Sequence, residues 1–459
     1  PRIFMSILDF VVLFGTLGLI VGYGVYKTTG TKNIEGYFLG DKSLKWGTIG
    51  LSVMATQASA ITFISTPGQA YESGMAFVQN YFGLPIALVI VAFVFIPIYY
   101  KLKVYTAYEY LESRFDKKTR LLGASLFLVQ RGLAAGITIY APAIILSTIL
   151  HWPLTWTMLM VGILVIIYTV SGGTKAVSLT QKSQMGVIFA GMFIAFGYIL
   201  YYLSDFVSFS ESLHIAGKLE KLNAIDFSLD IEKRYTVWTG ILGGLFLSLS
   251  YFGTDQSQVQ RYLGGKNTAE SRMGLMFNAV MKIPMQFFIL LTGVMLYVFY
   301  IFYQAPVHFN GANIEAARAS SSAVVQQLEE EHAHMTNERK ELALAYTSAL
   351  SSGSEQEQSK AAQALKISAS DLDGIRSEMK TVIAEADKSL NTKDSDYVFL
   401  TFILNYLPQG IIGLLIAVIF SAAMSSTAGE LNALASTTTV DFYKNIVHQK
   451  GSEGHYSGR

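Results

Sequence analysis

Ala55-Thr56-Gln57-Ala58-Ser59-Ala60-Ile61-Thr62, followed by Pro67-Gly68, lies at the centre of an apolar run long enough to cross a membrane. Far downstream, Ser421-Ala422-Ala423-Met424-Ser425-Ser426-Thr427 interrupts a second such run. A helix built only to sit in lipid would carry leucine there. Small residues and hydroxyls permit an opened backbone, and its freed carbonyls survive at membrane depth only where protein shields them from lipid. The first segment would offer carbonyls near Ala55 and Ala58, the second the Ala422 carbonyl with the Ser425 and Ser426 hydroxyls. A hard cation such as sodium is satisfied by a handful of neutral oxygens. Close helix packing through small residues is the competing account. For either run alone the two are balanced; two runs and a Pro-Gly break favour the ion site.

The composition agrees. Of 459 residues, 51% are hydrophobic and 15% charged, against roughly 25% charged in soluble domains. A net charge of +1 gives no reason to expect a nucleic-acid partner. The absence of cysteine rules out disulfides, thiolate metal sites and a cysteine nucleophile. Ile3 to Tyr26 lacks a basic leader and a small-residue cleavage site, so it reads as a retained helix. Met5 is the expected natural start.

Apolar spans fall near 4–26, 47–70, 76–100, 121–149, 155–171, 183–203, 236–260, 274–303 and 397–428. Basic residues cluster in alternate short loops: Lys27, Lys32, Lys42 and Lys45, then Lys101 to Arg120, then Lys175 and Lys182, then Arg261, Lys266 and Arg272. The short loops near 71–75 and 150–154 carry none. The positive-inside rule then puts the N-terminus outside a cell membrane, most simply a bacterial inner membrane.

The chain divides into a membrane core over 1–304, an external insert over 305–396, and a last span with a hydrophilic end over 397–459. Inside the insert Leu328, Met335 and Leu342, then Leu372, Ile375, Met379, Val382 and Ala386, recur at near-heptad spacing. Ser351-Ser352-Gly353-Ser354 separates the two runs, and Ser370 with Asp373 resembles a capping box. A helical hairpin is expected, either a partner-binding arm or a plain loop insertion. His332 and His334 read as solvated residues rather than metal ligands.

Ionisable residues at membrane depth mark function by default. Lys282 either pairs with Asp255 across an antiparallel contact or faces a solute cavity. Arg131 has no evident acidic partner in the sequence; it either attracts an anionic solute or snorkels. Asn80, Tyr81, Tyr140, Pro142, Tyr251 and Phe252 supply amide and aromatic surface. Gly172-Gly173 lacks the strand, helix and lysine of a phosphate loop. No nucleophile–base constellation survives, so an enzyme is not expected.

These residues resemble the sodium:solute symporter family. The matching stretches are Tyr37-Phe38-Leu39-Gly40, Ala55 to Tyr71, Thr106 to Phe115, Ile139 to Ala143, Asp255-Gln256 with Val259 to Tyr262, and Ser425-Ser426 with Leu431-Asn432. They run in family order along the chain. The resemblance implies an all-α multi-pass fold: a five-plus-five inverted-repeat core behind one extra N-terminal helix. It implies sodium between the first and eighth core helices, held by Ala55, Ala58 and Ala422 carbonyls and Ser425 and Ser426 hydroxyls. Gln57, Asn80, Tyr81, Arg131, Ser248, Tyr251, Phe252 and Lys282 are the candidate solute and gate residues. Tyr251 falls where sugar carriers place a gate, and Lys282 where they place a substrate-side lysine. The implied partners are sodium, a small organic solute and the bilayer, with no cofactor beyond sodium as coupling ion.

The departures shape the expectation. Leu179-Thr180-Gln181 stands where many relatives have Trp-Thr-Asp, which argues against a second sodium. Tyr81 stands where sugar carriers have glutamate. Tyr140-Ala141-Pro142 leans toward the vitamin, iodide and monocarboxylate branch, and Arg131 then makes an organic anion attractive. With nine spans the second repeat has three helices, so a C-terminally truncated fold is expected. Sodium-coupled import by alternating access is the leading function; a transporter-like sensor module is the alternative.

Overall fold

The computed structural model describes residues 5–28, 34–150, 152–230, 232–448 and 455–456. Lys32 and the residues before Met5 lie outside the described residues. α1 (Ile7–Thr28) is followed by a short α2 (Ile34–Leu39) and then by α3 (Trp46–Gln57) and α4 (Ala60–Ser73), two halves of one span. α5 (Leu84–Ile90) and α6 (Ile96–Leu102) form one rod through a π-helical turn, and α7 (Tyr108–Arg114) leads to α8 (Lys117–Leu150). α9 (Leu154–Leu203) holds two spans that meet at Gly173, whose φ of 53° makes the corner. After α10 (Phe209–Lys218) come α11 (Val237–Thr254) and α12 (Gln256–Leu263), again two halves, then α13 (Thr268–Phe302). α14 (Gly311–Ser352), α15 (Glu355–Ala386), α16 (Ser395–Tyr406) and α17 (Ile411–Thr437) follow, and α17 runs on into a π-helical stretch, Thr438–Val447. Among the described residues there is no strand beyond an isolated bridge from Leu44 to Gly265.

The protein is thus an all-α multi-pass membrane chain. Seven described stretches are long and apolar enough to cross a membrane, and Leu154–Ile167 is a shorter apolar helix. All nine expected spans fall on helices, with two corrections. The span placed at 397–428 is two helices, because Pro408 cannot donate to a ladder and Gly410 takes φ 85°. The second interrupted helix is also not the one expected. α17 runs unbroken through Ser421–Thr427, and the chain opens instead at Asp255, with φ −77° and ψ 119°. Counting α3/α4 as the first core helix, α11/α12 is the sixth. The two breaks therefore stand at equivalent places in an inverted repeat.

α17 is the central rod: every residue from Leu415 to Glu430 is buried. Its small residues let neighbours approach closely. A Cβ on Gly413 would come within 2.1 Å of the Asp9 carbonyl oxygen on α1. Asp9 is 1% exposed, and its Oδ1 accepts from the backbone N–H groups of Gly410 at 2.6 Å and Gly413 at 3.1 Å. The first turn of α17 has no side-chain cap of its own, so a residue 401 positions earlier in the chain supplies it. Oδ2 meanwhile accepts from the Ser6 N–H and hydroxyl.

α14 and α15 form the expected hairpin, turned at Gly353 (φ 75°) with Ser354 capping the Glu357 N–H. Ser370 and Asp373 are not a helix start; both lie inside α15, whose N-cap is Ser354. The arm is strapped to the core. Arg376 pairs with buried Asp394 at 2.9 Å, Lys380 reaches Glu72 at 3.7 Å, and Arg339 donates to the Tyr300 carbonyl at 3.4 Å. His332 is buried rather than solvated, and no described His, Asp and Glu residues group as a metal site. Burial, with Arg376 and Arg339 nearby, pushes its imidazole down to about 3.

Two outcomes follow from this packing. Asp9→Ala should lower stability by about 1–2 kcal/mol, the usual loss for a helix cap, read by thermal melting in detergent. His332 binds its proton more weakly folded than unfolded, so stability falls as pH drops from about 6.5 toward 3. His332→Gln should make that acid-side slope of the melting temperature shallower.

Candidate cation and solute site

The break between α3 and α4 is made by Ala58 (φ −90°, ψ 87°) and Ser59 (φ −76°, ψ 171°). The last helical bond there runs from the Ala58 N–H to the Met54 carbonyl. The next carbonyl, Ala55, accepts instead from the Ser425 hydroxyl on α17 at 3.1 Å. Two oxygens so spaced fit one hard cation ligated at about 2.3–2.6 Å, the range calcium uses. The Ser426 hydroxyl is buried and has no hydrogen-bond partner, an orphan oxygen that such an ion would satisfy. Ala58 and Ala422 are fully buried on the same facing segments. The Ala422 carbonyl belongs to a continuous helix, so it would contribute a second lone pair rather than a freed group.

Gln181, noted in the sequence only as a missing acid, braces this cage. Its Nε2 donates to the Ser425 carbonyl and to the Thr56 hydroxyl, both at 2.9 Å. Its Oε1 accepts from the Ser52 hydroxyl at 2.5 Å. One neutral amide thereby ties α3, α9 and α17 together beside the break. All the candidate cation oxygens here are uncharged.

A cavity of about 1040 Å³ lies next to the break. Gln57, Asn80, Tyr81, Ser248, Tyr251 and Phe252 all line it, so six of the candidate solute residues are brought together. The Gln57 Oε1 has no hydrogen-bond partner. The Tyr251 hydroxyl accepts from Gln258 at 2.8 Å, and its ring carries the Arg131 guanidinium 5.5 Å from its centroid.

Arg131 and Lys282 are where the sequence expectations need correcting. Arg131 neither snorkels nor lies free for a solute. It pairs with Asp255 at the second break and with Glu430 on α17, the latter at 3.1 Å. Asp255 also caps α12, accepting from the Ser257 N–H at 2.9 Å and hydroxyl at 2.6 Å. Lys282 does not meet Asp255; its ammonium faces the Tyr81 ring, 5.4 Å from the centroid. Glu430 went unremarked in the sequence, although an acid inside an apolar helix is signal enough. Removing Arg131 strands two buried carboxylates, a loss of about 3–5 kcal/mol. Arg131→Met should therefore lower the melting temperature sharply with or without solute, and Arg131→Met with Glu430→Gln should recover part of it.

A family model of the sodium:solute symporter family matches residues 37–332 and 378–458. The part it leaves out, 333–377, is the outer portion of the α14/α15 hairpin. The human sodium/iodide cotransporter is 32% identical over 284 residues, 62% of this chain and 43% of that protein. The human sodium-coupled monocarboxylate transporter 1 is 34% identical over 275 residues, 59% of this chain and 45% of that protein. The chain thus spans about half the length of the curated relatives it matches. Among solved structures, a sodium-coupled sialic acid symporter in a substrate-bound outward-open state superimposes with TM-score 0.72 and 25% identity. That match covers 98% of this chain and 78% of the other.

Proposed function

The chain belongs to the sodium:solute symporter family, and from that premise we propose that the whole protein imports a small solute by sodium-driven alternating access. Sodium is held by the Ala55, Ala58 and Ala422 carbonyls and the Ser425 and Ser426 hydroxyls. The observation that carries this reading is the Ser425–Ala55 contact at an unwound turn, beside the partnerless Ser426 hydroxyl. The solute occupies the adjoining cavity, with Gln57, Asn80, Tyr81 and Ser248 offering polar contacts and Tyr251 with Phe252 forming a wall.

Sodium bridging α3/α4 and α17 favours the arrangement in which the two segments meet. Coupling requires that difference in affinity, since an ion bound equally by both states shifts nothing. One charge crossing the membrane releases about 2.3 kcal/mol per 100 mV, and a tenfold sodium gradient adds about 1.4 kcal/mol. Together these support several-hundredfold accumulation of a solute (about 3.7 kcal/mol at 1.4 per decade). The alternation of basic loops supports an N-terminus on the outer face of the membrane.

Replacing Ser425 and Ser426 together by alanine should abolish sodium-dependent uptake in proteoliposomes while the protein still reaches the membrane. Uptake that keeps its sodium dependence in the double variant would sink the assignment.

A further inference from the structure

Residues 223–230, between α10 and α11, form no helix, and their exposure alternates. Ile225, Phe227 and Leu229 are 57%, 69% and 82% exposed. Asp226 and Ser228, between them, are half-buried. Side chains of an extended segment point alternately to opposite faces, so here the polar residues turn toward the protein and the apolar ones away from it. A segment resting in water shows the reverse order. Single exposed apolar side chains need no explanation. Three on one face, joined to more, mark a contact surface.

The register of this segment is fixed from the protein side. The Asp226 N–H donates to Oε1 of fully buried Gln79 at 2.9 Å, and the Asp226 carbonyl accepts from the Val237 N–H at 2.9 Å. The Asp226 carboxylate accepts from the Ser228 N–H at 2.7 Å and from Lys233 at 2.8 Å. A slip of one residue would turn the three apolar side chains inward and break these bonds. The Phe227 carbonyl accepts from the Trp238 indole N–H at 3.1 Å, which sets Phe227 beside the first turn of α11. Trp238, Leu242 and Phe246 are all exposed and share one face at four-residue spacing. They run along a helix long and apolar enough to cross a membrane. The opposite face of α11 packs backbone to backbone on the cavity wall. A Cβ on Gly240 would come within 2.1 Å of the Gln79 carbonyl oxygen, and one on Gly244 within 2.6 Å of that of Asn80. The apolar face of the loop thus continues the exposed stripe of α11. It joins that stripe at a tryptophan, the residue favoured where hydrocarbon gives way to headgroups.

We propose that Ile225, Phe227, Leu229 and Trp238 form an interfacial anchor, seated in phospholipid at the boundary between headgroups and acyl chains beside the first turn of α11. Asp230, Glu232, Lys233 and Arg234 follow in the loop and their charges cancel. Burial of apolar surface, rather than attraction to charged lipid, therefore drives the contact. The anchor requires only that α11 cross the bilayer, and it holds whether or not a solute is carried. It is built onto the frame of the solute cavity all the same. Gln79 donates to the Tyr235 carbonyl at 3.1 Å as well as accepting from Asp226, and its neighbours Asn80 and Tyr81 line the cavity.

The chain has no cysteine, so single-cysteine variants carry a bimane fluorophore at one chosen place. The test is fluorescence of the labelled full chain in nanodiscs of zwitterionic phosphatidylcholine, with or without bromine on the acyl chains, titrated with aqueous iodide. Labels on Ile225→Cys, Phe227→Cys and Leu229→Cys should be quenched about twofold or more by brominated lipid and little by iodide, as for side chains at the interface. A label on Glu232→Cys should show the opposite order. A second readout leaves the loop untouched: with Trp46, Trp152 and Trp156 replaced by phenylalanine, the emission of Trp238 should be quenched by the same lipid. Iodide quenching without lipid quenching at 225, 227 and 229 overturns the proposal. Shielding from both quenchers overturns it too and puts a protein surface there, and so does a Trp238 that brominated lipid leaves unquenched.

Discussion

An unwound turn at membrane depth leaves backbone polar groups with neither helix nor water, and the turn at Ala58–Ser59 is the constraint on which this structure depends. The groups that answer it come from elsewhere in the chain. α17 provides the Ser425 hydroxyl, and Gln181 on α9 holds the Ser425 carbonyl and Thr56 in place. That arrangement works only if α17 cannot slide or rotate. Asp9 fixes its first turn, Arg131 grips Glu430 beyond the serines, and Asn432 donates to Thr174 at 2.8 Å. The hydroxyls of the site are thus positioned by polar contacts at both ends of the rod that carries them.

The two broken helices solve the same problem by opposite means. At Asp255 the chain brings its own carboxylate, which caps α12 and pairs with Arg131. That break carries its own ion pair. The Ala58 break is lined by carbonyls, hydroxyls and one amide, and carries no charge. Neutral oxygens around an open turn are what a monovalent cation needs and what a fixed ion pair would spoil. The first break is left with uncharged oxygens, and the second is anchored by an ion pair.

Much of this was legible in the chain. Hydropathy put all nine expected spans on helices, though the last joined two of them, and small polar residues before Pro67-Gly68 located the first break. The same signal misled at Ser421–Thr427, for a physical reason. A hydroxyl can return its hydrogen bond to the carbonyl one turn back, as Thr427 does to Ala423 at 2.8 Å, so a polar helix need not open. The true second break had a signal in Gly253-Thr254-Asp255, a glycine and a capping-type acid inside an apolar run. What no single sequence exposes is pairing at long range. Arg131 finds partners on α17 and at the α11/α12 junction, and Asp9 caps a helix at the far end of the chain. Each of these depends on which helices become neighbours, and hydrophobic periodicity carries no such information.

The hairpin shows how the fold tolerates length where the core has none to spare. Chain leaving α13 and chain entering α16 are joined through one buried carboxylate. Asp394 accepts from the Phe309 N–H at 2.8 Å and from Arg376 at 2.9 Å. Nearby, Asn313 donates to the Asn391 carbonyl at 2.9 Å. With the two ends closed on each other, further residues between them add only a slowly growing loop entropy. The unmatched stretch 333–377 falls wholly inside that closed loop. Ala343, Tyr346, Ala362 and Leu365 of that stretch are buried in the main core cluster, while Val325, Leu328, Ile375, Met379 and Ile383 pack together in a separate one. A hairpin whose base is pinned by Asp394 and Asn313 lets chain be added between α13 and α16 without parting the ends of those helices.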